Sequence, residues 1–421
     1  MVILNMFKKI LAHPLFSGTV LMVGGNMFAN VINYVYQIYF AGRFLGPVGN
    51  GQLGSLFALL YIITIVPIST SAAVVKFVSS SKNHDEVSLV YNKINKLTWR
   101  VAIFLSIGFL LISPFISSFL HIPISGVLVV PFIMFVSLVT LINQATLQGA
   151  LRFWGSVGPN IVSGAGKLVF GIIFVLLGWY VFGAMIGMLC GVILTYGYSL
   201  YLLRKFLKGK KAKGNFNMNK FLKYSFPVLL HSLAFTSLFT VDIILVKHFF
   251  PDRIAGEYVA LSTLGKIIYF AASPVASVMF PMVAGRHSKG EKYFNLLMVS
   301  LVITLLMALG AVSFYFVIPN IIVGLSYGSK YIEIVKYLPW MGLFISFYTV
   351  SYFMMNFFLS IDEVKIVLLP LIFAILQIIL IVLYHGSLLI VIQISLVLML
   401  ILFALLFSYL VYNRLNYAKK Q

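Results

Sequence analysis

The run GVLVVPFIMFVSLVTLINQATLQG, Gly126–Gly149, carries no charged side chain. A helix rises ~1.5 Å per residue, so a run of this length can cross the ~30 Å hydrocarbon core of a bilayer. Working outward from it, runs of the same kind recur at 17–41, 52–76, 98–120, 156–179, 181–203, 224–248, 257–284, 294–318, 335–360, 364–385 and 386–411. The pattern predicts an all-α integral membrane protein with about twelve transmembrane helices. Composition agrees. Of 421 residues, 61% are hydrophobic and 9% charged, against about 25% charged in a soluble domain. No water-soluble fold can hide that much apolar surface. A soluble enzyme, a nucleic-acid-binding domain and a secreted disulfide scaffold are excluded.

Charge then orients the spans. Lys and Arg total 30 against 9 Asp and Glu, a net of +21. In a membrane protein such an excess reports topology first, because cytoplasmic loops collect Lys and Arg. With the amino terminus in the cytoplasm, 22 of the 30 basic residues fall on the inner side and 5 on the outer side; Lys76, Lys167 and Lys266 lie within spans. That split predicts a multi-pass protein of the cell membrane with both termini cytoplasmic. The first run, Gly18–Phe40, is too long and too rich in Asn to read as a cleavable leader. The single Cys190 lies in an apolar run and reads as a small packing residue.

The segment RKFLKGKKAKGNFNMNKFLK, Arg204–Lys223, is a basic linker at mid-chain. It reads as a cytoplasmic loop touching anionic headgroups. It divides the chain into residues 1–203, a six-span lobe, the linker 204–223, and residues 224–421, a second six-span lobe. Shifting the first half by 205 positions puts Gly51 on Gly256, Phe44 on Phe249, Asn26 on His231 and Gln37 on Asp242. Six spans per repeat is an even number, so the two lobes would be related by a pseudo-twofold along the membrane normal.

Polar residues inside spans mark the candidate site. Asn26, Asn30, Asn33 and Gln37 recur at spacings of 4, 3 and 4, which puts all four on one face of the first helix. Amides facing lipid lack partners, so the stripe must face a neighbouring helix or a wet cavity. In the seventh span His231 and Asp242 are the matching residues, and Asp242 is deep enough to need a partner or a proton. Lys167 in SGAGKLVFGIIF and Lys266 in LSTLGKIIYFAASP are each costly within a helix, about 2.5–3.5 kcal/mol on an insertion scale. They read either as snorkelling to an interface or as lining a cationic cleft. GAMIGMLCG, Gly183–Gly191, is a GxxxGxxxG run that permits close helix approach. The sequence has no GxxxxGK[ST], HExxH or CxxC motif and no nucleophile with its base, so no catalytic residue, metal site or cofactor is expected.

Four segments carry a resemblance: RFLGPVGNGQLGSL (Arg43–Leu56), LQGALRF (Leu147–Phe153), GWYVFGAMIG (Gly178–Gly187) and, most strongly, VDIILVKHFFPDRIAGEYVALSTLGKIIYFAASPVASVMFPMVA (Val241–Ala284). In order and spacing the chain resembles the polysaccharide-biosynthesis flippases of the multidrug/oligosaccharidyl-lipid/polysaccharide exporter superfamily. The resemblance implies two six-helix lobes around a cationic central cavity. It also implies alternating-access movement of a polyprenyl-diphosphate-linked oligosaccharide from the inner to the outer leaflet. Lys266 and Asp242 sit inside the strongest matched segment, and Lys167 follows LQGALRF. The expected substrate-binding residues are Lys167, Lys266, Asn26, Asn30, Asn33, Gln37 and His231, with Asp242 as ion-coupling group. Expected partners are the lipid-linked glycan, membrane lipids, H+ or Na+, and other polysaccharide-assembly membrane proteins, with no nucleic acid. The alternatives are a cation-coupled drug or small-metabolite antiporter of the same superfamily and, in a different class, a membrane-embedded sugar polymerase, ligase or acyltransferase.

Overall fold

The computed structural model describes residues 14–81, 83–207, 216–361 and 363–420, which contain helices and no strand. Residues 208–215 of the basic linker, together with Lys8, Lys9 and Lys82 of the charge count, lie outside the described residues. In chain order the helices are α1 (Pro14–Val35), α2 (Gly46–Ile63), α3 (Ile65–Ser79), α4 (His84–Leu120), α5 (Ile124–Gly149), α6 (Trp154–Phe174) and α7 (Tyr180–Leu207). They continue as α8 (Met218–Phe249), α9 (Asp252–Ser288), α10 (Phe294–Val317), α11 (Pro319–Ser326), α12 (Leu338–Ser360), α13 (Leu368–Leu383) and α14 (Leu388–Lys420). A π-helical turn, Tyr36–Phe44, joins α1 to α2, and a 3-10 segment, Ser329–Tyr337, precedes α12.

Helices cover most of each apolar run, with breaks at Thr64 and at residues 384–387. Nine helical stretches among the described residues are long and apolar enough to cross a membrane. One of these, Trp154–Leu207, folds as the pair α6 and α7. The reversal between them falls at Gly178, whose φ of 88° favours glycine, and at Tyr180, φ 45°. Two features differ from expectation. Helix α4 begins well before residue 98, at His84, because Asn83 caps it: its side chain accepts the Glu86 N–H at 2.9 Å, and Asp85 and Glu86 occupy the first turn. The short α11 and the 3-10 segment also appear between spans, too short to register as hydrophobic runs.

The chain forms two compact units. The first comprises Met1–Ala41 and Ile63–Leu229; the second comprises Gly42–Ile62 and Leu230–Gln421. The chain changes unit within the π-helical turn, at the α2–α3 break, and inside α8, two residues beyond Pro227. Aromatic residues within the linker belong to the first unit. Phe221 is 1% exposed in a cluster with Val74, Val78 and Ile94, and Phe216 and Met218 pack against it.

Glycine sets the helix spacing in both units. In the first, α7 lies against α6 backbone to backbone. A Cβ on Gly187 would stand 2.3 Å from the Gly171 nitrogen, and one on Gly191 would stand 2.7 Å from the Lys167 nitrogen. The GxxxGxxxG run is therefore what positions Lys167. In the second unit, the glycines paired by the 205-residue shift touch. A Cβ on Gly51 would lie 2.8 Å from the Gly256 nitrogen, and one on Gly256 would lie 1.7 Å from the Pro47 carbonyl oxygen. Asn50 Nδ2 donates to the Gly256 carbonyl at 3.0 Å. Arg43 fastens the same segment by donating to the carbonyls of Ser326 (2.8 Å), Gly324 (2.9 Å) and Leu325 at the C-terminal end of α11. The Tyr331 hydroxyl donates to the Gly42 carbonyl at 2.9 Å.

These contacts are with backbone, which cannot rotate away. Gly187→Val is expected to destabilise the first unit by about 1–3 kcal/mol, the ordinary scale of overpacking, and to lower the melting temperature in detergent. Gly256→Ala should destabilise on the same scale, whereas Gly197→Ala, which meets open space, should melt like the wild type.

Candidate functional site

The amide stripe of α1 and Lys167 of α6 come together in the first unit. Lys167 Nζ donates to Asn33 Oδ1 at 2.7 Å and stands 4.5 Å from the centroid of the Tyr36 ring. Helix geometry explains the pairing. Asn33 and Tyr36 are three residues apart, so both present to one neighbour. The α1–α6 approach is close because Gly164 faces Ile32, and a Cβ there would be 3.1 Å from it. Tyr36 is fully buried, and its hydroxyl donates to the Ala184 carbonyl at 3.3 Å, which fixes the ring under the ammonium. Further along the stripe, Asn26 Oδ1 accepts from Asn160 Nδ2 at 3.2 Å, and Asn160 Oδ1 accepts from Gln144 Nε2 at 3.3 Å. Asn30 and Gln37 are half-buried. Sequence reasoning missed Asn160, Gln144 and Tyr36. The first two carry the same signal as the stripe, an amide inside an apolar run; Tyr36 carries none.

The second unit holds the other cluster. Asp242 is fully buried. Its Oδ2 accepts from the Tyr258 hydroxyl at 2.7 Å, and its Oδ1 accepts the Ile243 N–H at 2.9 Å. Its direct partner is therefore a tyrosine of α9. Lys266, also on α9, is 8% exposed, with Nζ 4.4 Å from the centroid of the Phe239 ring. A cation over an aromatic face is held by the ring quadrupole, an interaction worth ~2 kcal/mol when desolvated. Lys167, half-buried, and Lys266 thus have the same kind of seat, whereas Lys247, 1% exposed, is met instead by the Asp252 carboxylate. Phe239 is itself stacked on Tyr348 at 4.9 Å and tilted against Tyr269 at 5.1 Å. His231 lies 5.0 Å from Phe235 and 5.6 Å from Tyr352, ring centroid to ring centroid. Neither His231 ring nitrogen has a hydrogen-bond partner among the described residues.

A third polar knot lies where the sequence carried little signal. Gln377 of α13 is fully buried, and its Nε2 donates to Ser395 Oγ of α14 at 2.9 Å. Among the described residues no three His, Cys, Asp or Glu side chains gather in a way that could hold a metal ion. The first cluster offers a cation with aromatic and amide surroundings, the second a cation with aromatic surroundings and a carboxyl nearby. Fixed cations beside amides and rings are groups that can pair with an anion or hydrogen-bond a polyol.

Comparison with known proteins fits this description. Among solved structures, the inward closed conformation of the lipid II flippase MurJ superposes with a TM-score of 0.72 at 17% identity, covering 93% of this chain and 87% of that one. An outward-facing multidrug resistance MATE family transporter of the MOP superfamily gives 0.67 at 14% identity, covering 98% of both chains. A MOP superfamily transporter from Pyrococcus furiosus, described as having a binding pocket of reverse polarity, gives 0.61 at 15% identity, covering 94% of both chains. At these identities the likeness is one of fold. No curated protein sequence matches the chain. The model of the family described as polysaccharide biosynthesis protein matches residues 15–287. That match spans both lysine seats and most of the chain, and it identifies this membrane protein as a member of the polysaccharide biosynthesis protein family.

Proposed function

We propose that the protein is a flippase that moves a polyprenyl-diphosphate-linked oligosaccharide from the cytoplasmic to the outer leaflet by alternating access. The observation that carries this reading is the repeated lysine seat: Lys167 over Tyr36 and Lys266 over Phe239. A diphosphate is the part of such a substrate that cannot enter hydrocarbon, and fixed cations are what compensate it. The amides at Asn26, Asn30, Asn33 and Gln37 and the imidazole of His231 meet sugar hydroxyls. The polyprenyl tail stays in lipid. The functional lobes are residues 1–203 and 224–421 joined by the linker 204–223, and both termini are cytoplasmic. A state change of this kind runs on differential affinity for the substrate in the two states.

The experiment is transport in vesicles, or restoration of the surface glycan in a strain lacking the protein. Lys167→Ala and Lys266→Ala should each lower transport by about tenfold or more, the scale of one lost charged contact, at unchanged expression. Lys→Arg at either position should retain more activity than Ala. Normal transport by both alanine variants would overturn the cationic reading.

A second reading is a cation-coupled drug or small-metabolite antiporter. The MATE-type fold and the buried Asp242 favour it. In the flippase reading Asp242 is instead the coupling group for H+ or Na+. Asp242→Asn can still bond to Tyr258 and to the Ile243 N–H, so the fold should survive. Its transport should lose dependence on an imposed proton or sodium gradient. Drug-stimulated proton or sodium exchange by the wild type would favour the antiporter.

A further inference from the structure

The linker end of α7 carries a feature that neither lysine seat uses. A surface groove of about 460 Å³ is lined there by Gly197, Leu200, Tyr201, Arg204 and Lys205. Residues 197, 201, 204 and 205 follow one another at i, i+4, i+7 and i+8, so they share one face of the helix. Along that face the chemistry changes in order. Gly197 is exposed and a Cβ on it would meet nothing within 4 Å, so this end is an open notch. Leu200 gives it an apolar wall, Tyr201 follows at 61% exposure, and the two cations close the far end.

An independent observation sets the depth of this groove. Trp154, at the start of α6 and 50% exposed, donates its indole N–H to the hydroxyl of Tyr198 at 3.1 Å. Tyr198 is the residue next to Gly197. Exposed Trp and Tyr collect at the headgroup level of a bilayer, where one end of the ring is wet and the other apolar. Gly197 and Leu200 therefore lie at the top of the acyl region, and Arg204 and Lys205 lie one to two turns further out, in the headgroup layer.

We infer that this groove is a binding site for a single anionic glycerophospholipid of the leaflet on the linker side. Its phosphate pairs with Arg204 and Lys205, its glycerol region contacts the Tyr201 hydroxyl, and one acyl chain lies in the Gly197–Leu200 notch. The choice of occupant rests on the order of the lining. A free phosphate would use the cations and leave the notch empty. A zwitterionic lipid would fill the notch and place its own cation against Arg204 and Lys205. This inference is independent of the transported substrate.

The test is native mass spectrometry of the purified full-length protein with added phosphatidylglycerol or phosphatidylcholine, together with transport in vesicles. The wild type should retain phosphatidylglycerol in preference. Arg204→Gln with Lys205→Gln should weaken that retention by roughly tenfold or more, as expected for two headgroup-facing cations. Gly197→Leu, which fills the notch and keeps both charges, should weaken it as well. Lys289→Gln with Lys292→Gln removes two cations elsewhere and should leave it unchanged. Equal retention of both lipids, unchanged retention in the Arg204/Lys205 variant, or an equal loss in the Lys289/Lys292 control would each overturn the site in favour of general surface attraction. Inorganic phosphate competing as well as the lipid would overturn the acyl part. Loss of lipid with transport intact would leave the proposed transport activity standing, so the two readings fail separately.

Discussion

A lysine ammonium placed inside a helical bundle in oil has to be met by something, and at Lys167 and Lys266 it is met by an aromatic face. Lys167 sits over Tyr36 and is hydrogen-bonded to Asn33. Lys266 sits over Phe239. An aromatic ring stabilises the cation without cancelling it, because the quadrupole lowers its energy and leaves its net charge in place. The rest of both clusters follows from that choice. Tyr36 is fixed by its hydrogen bond to Ala184, and Phe239 is fixed by stacking on Tyr348.

Asp242 interacts electrostatically with Lys266, but its hydrogen-bond partners are others. Asp242 is fully buried and takes a hydroxyl and a backbone N–H as partners. Two hydrogen bonds meet a carboxyl's need in low dielectric without requiring a salt bridge. In the same unit Lys247, 1% exposed, is met directly by the Asp252 carboxylate. His231 differs from both, with neither nitrogen satisfied among the described residues. A buried polar group without a partner is costly, and a hydroxyl-rich ligand is one way to satisfy it.

Glycine does the complementary work of placement. Lys167 reaches Asn33 because α7 lies flat against α6 at Gly187 and Gly191 and because α1 approaches α6 at Gly164. The Gly51–Gly256 contact brings the start of α2 onto the start of α9, and Arg43 secures it to the end of α11. Both contacts use backbone against backbone, where attraction comes from close packing, because helices immersed in lipid have little hydrophobic driving force to associate.

Much of this was legible in the sequence. Hydrophobic run length determined the helices, because a bilayer demands a fixed span with every backbone group bonded internally. The 4, 3 spacing put Asn26, Asn30 and Asn33 on one face of α1, because helix periodicity is a local property, while Gln37 falls in the π-helical turn beyond it. The four matched segments pointed to the family that the comparison then established. The sequence did not decide which side chain each of these meets. That Lys167 finds Asn33, 134 residues away, that Asp242 finds Tyr258 and not a lysine, and that the chain changes unit at Ala41, Ile62 and Leu229 all depend on which helix faces lie together. Those pairings are set by packing between segments distant in the chain, and no local pattern encodes them. Tertiary structure alone decided them.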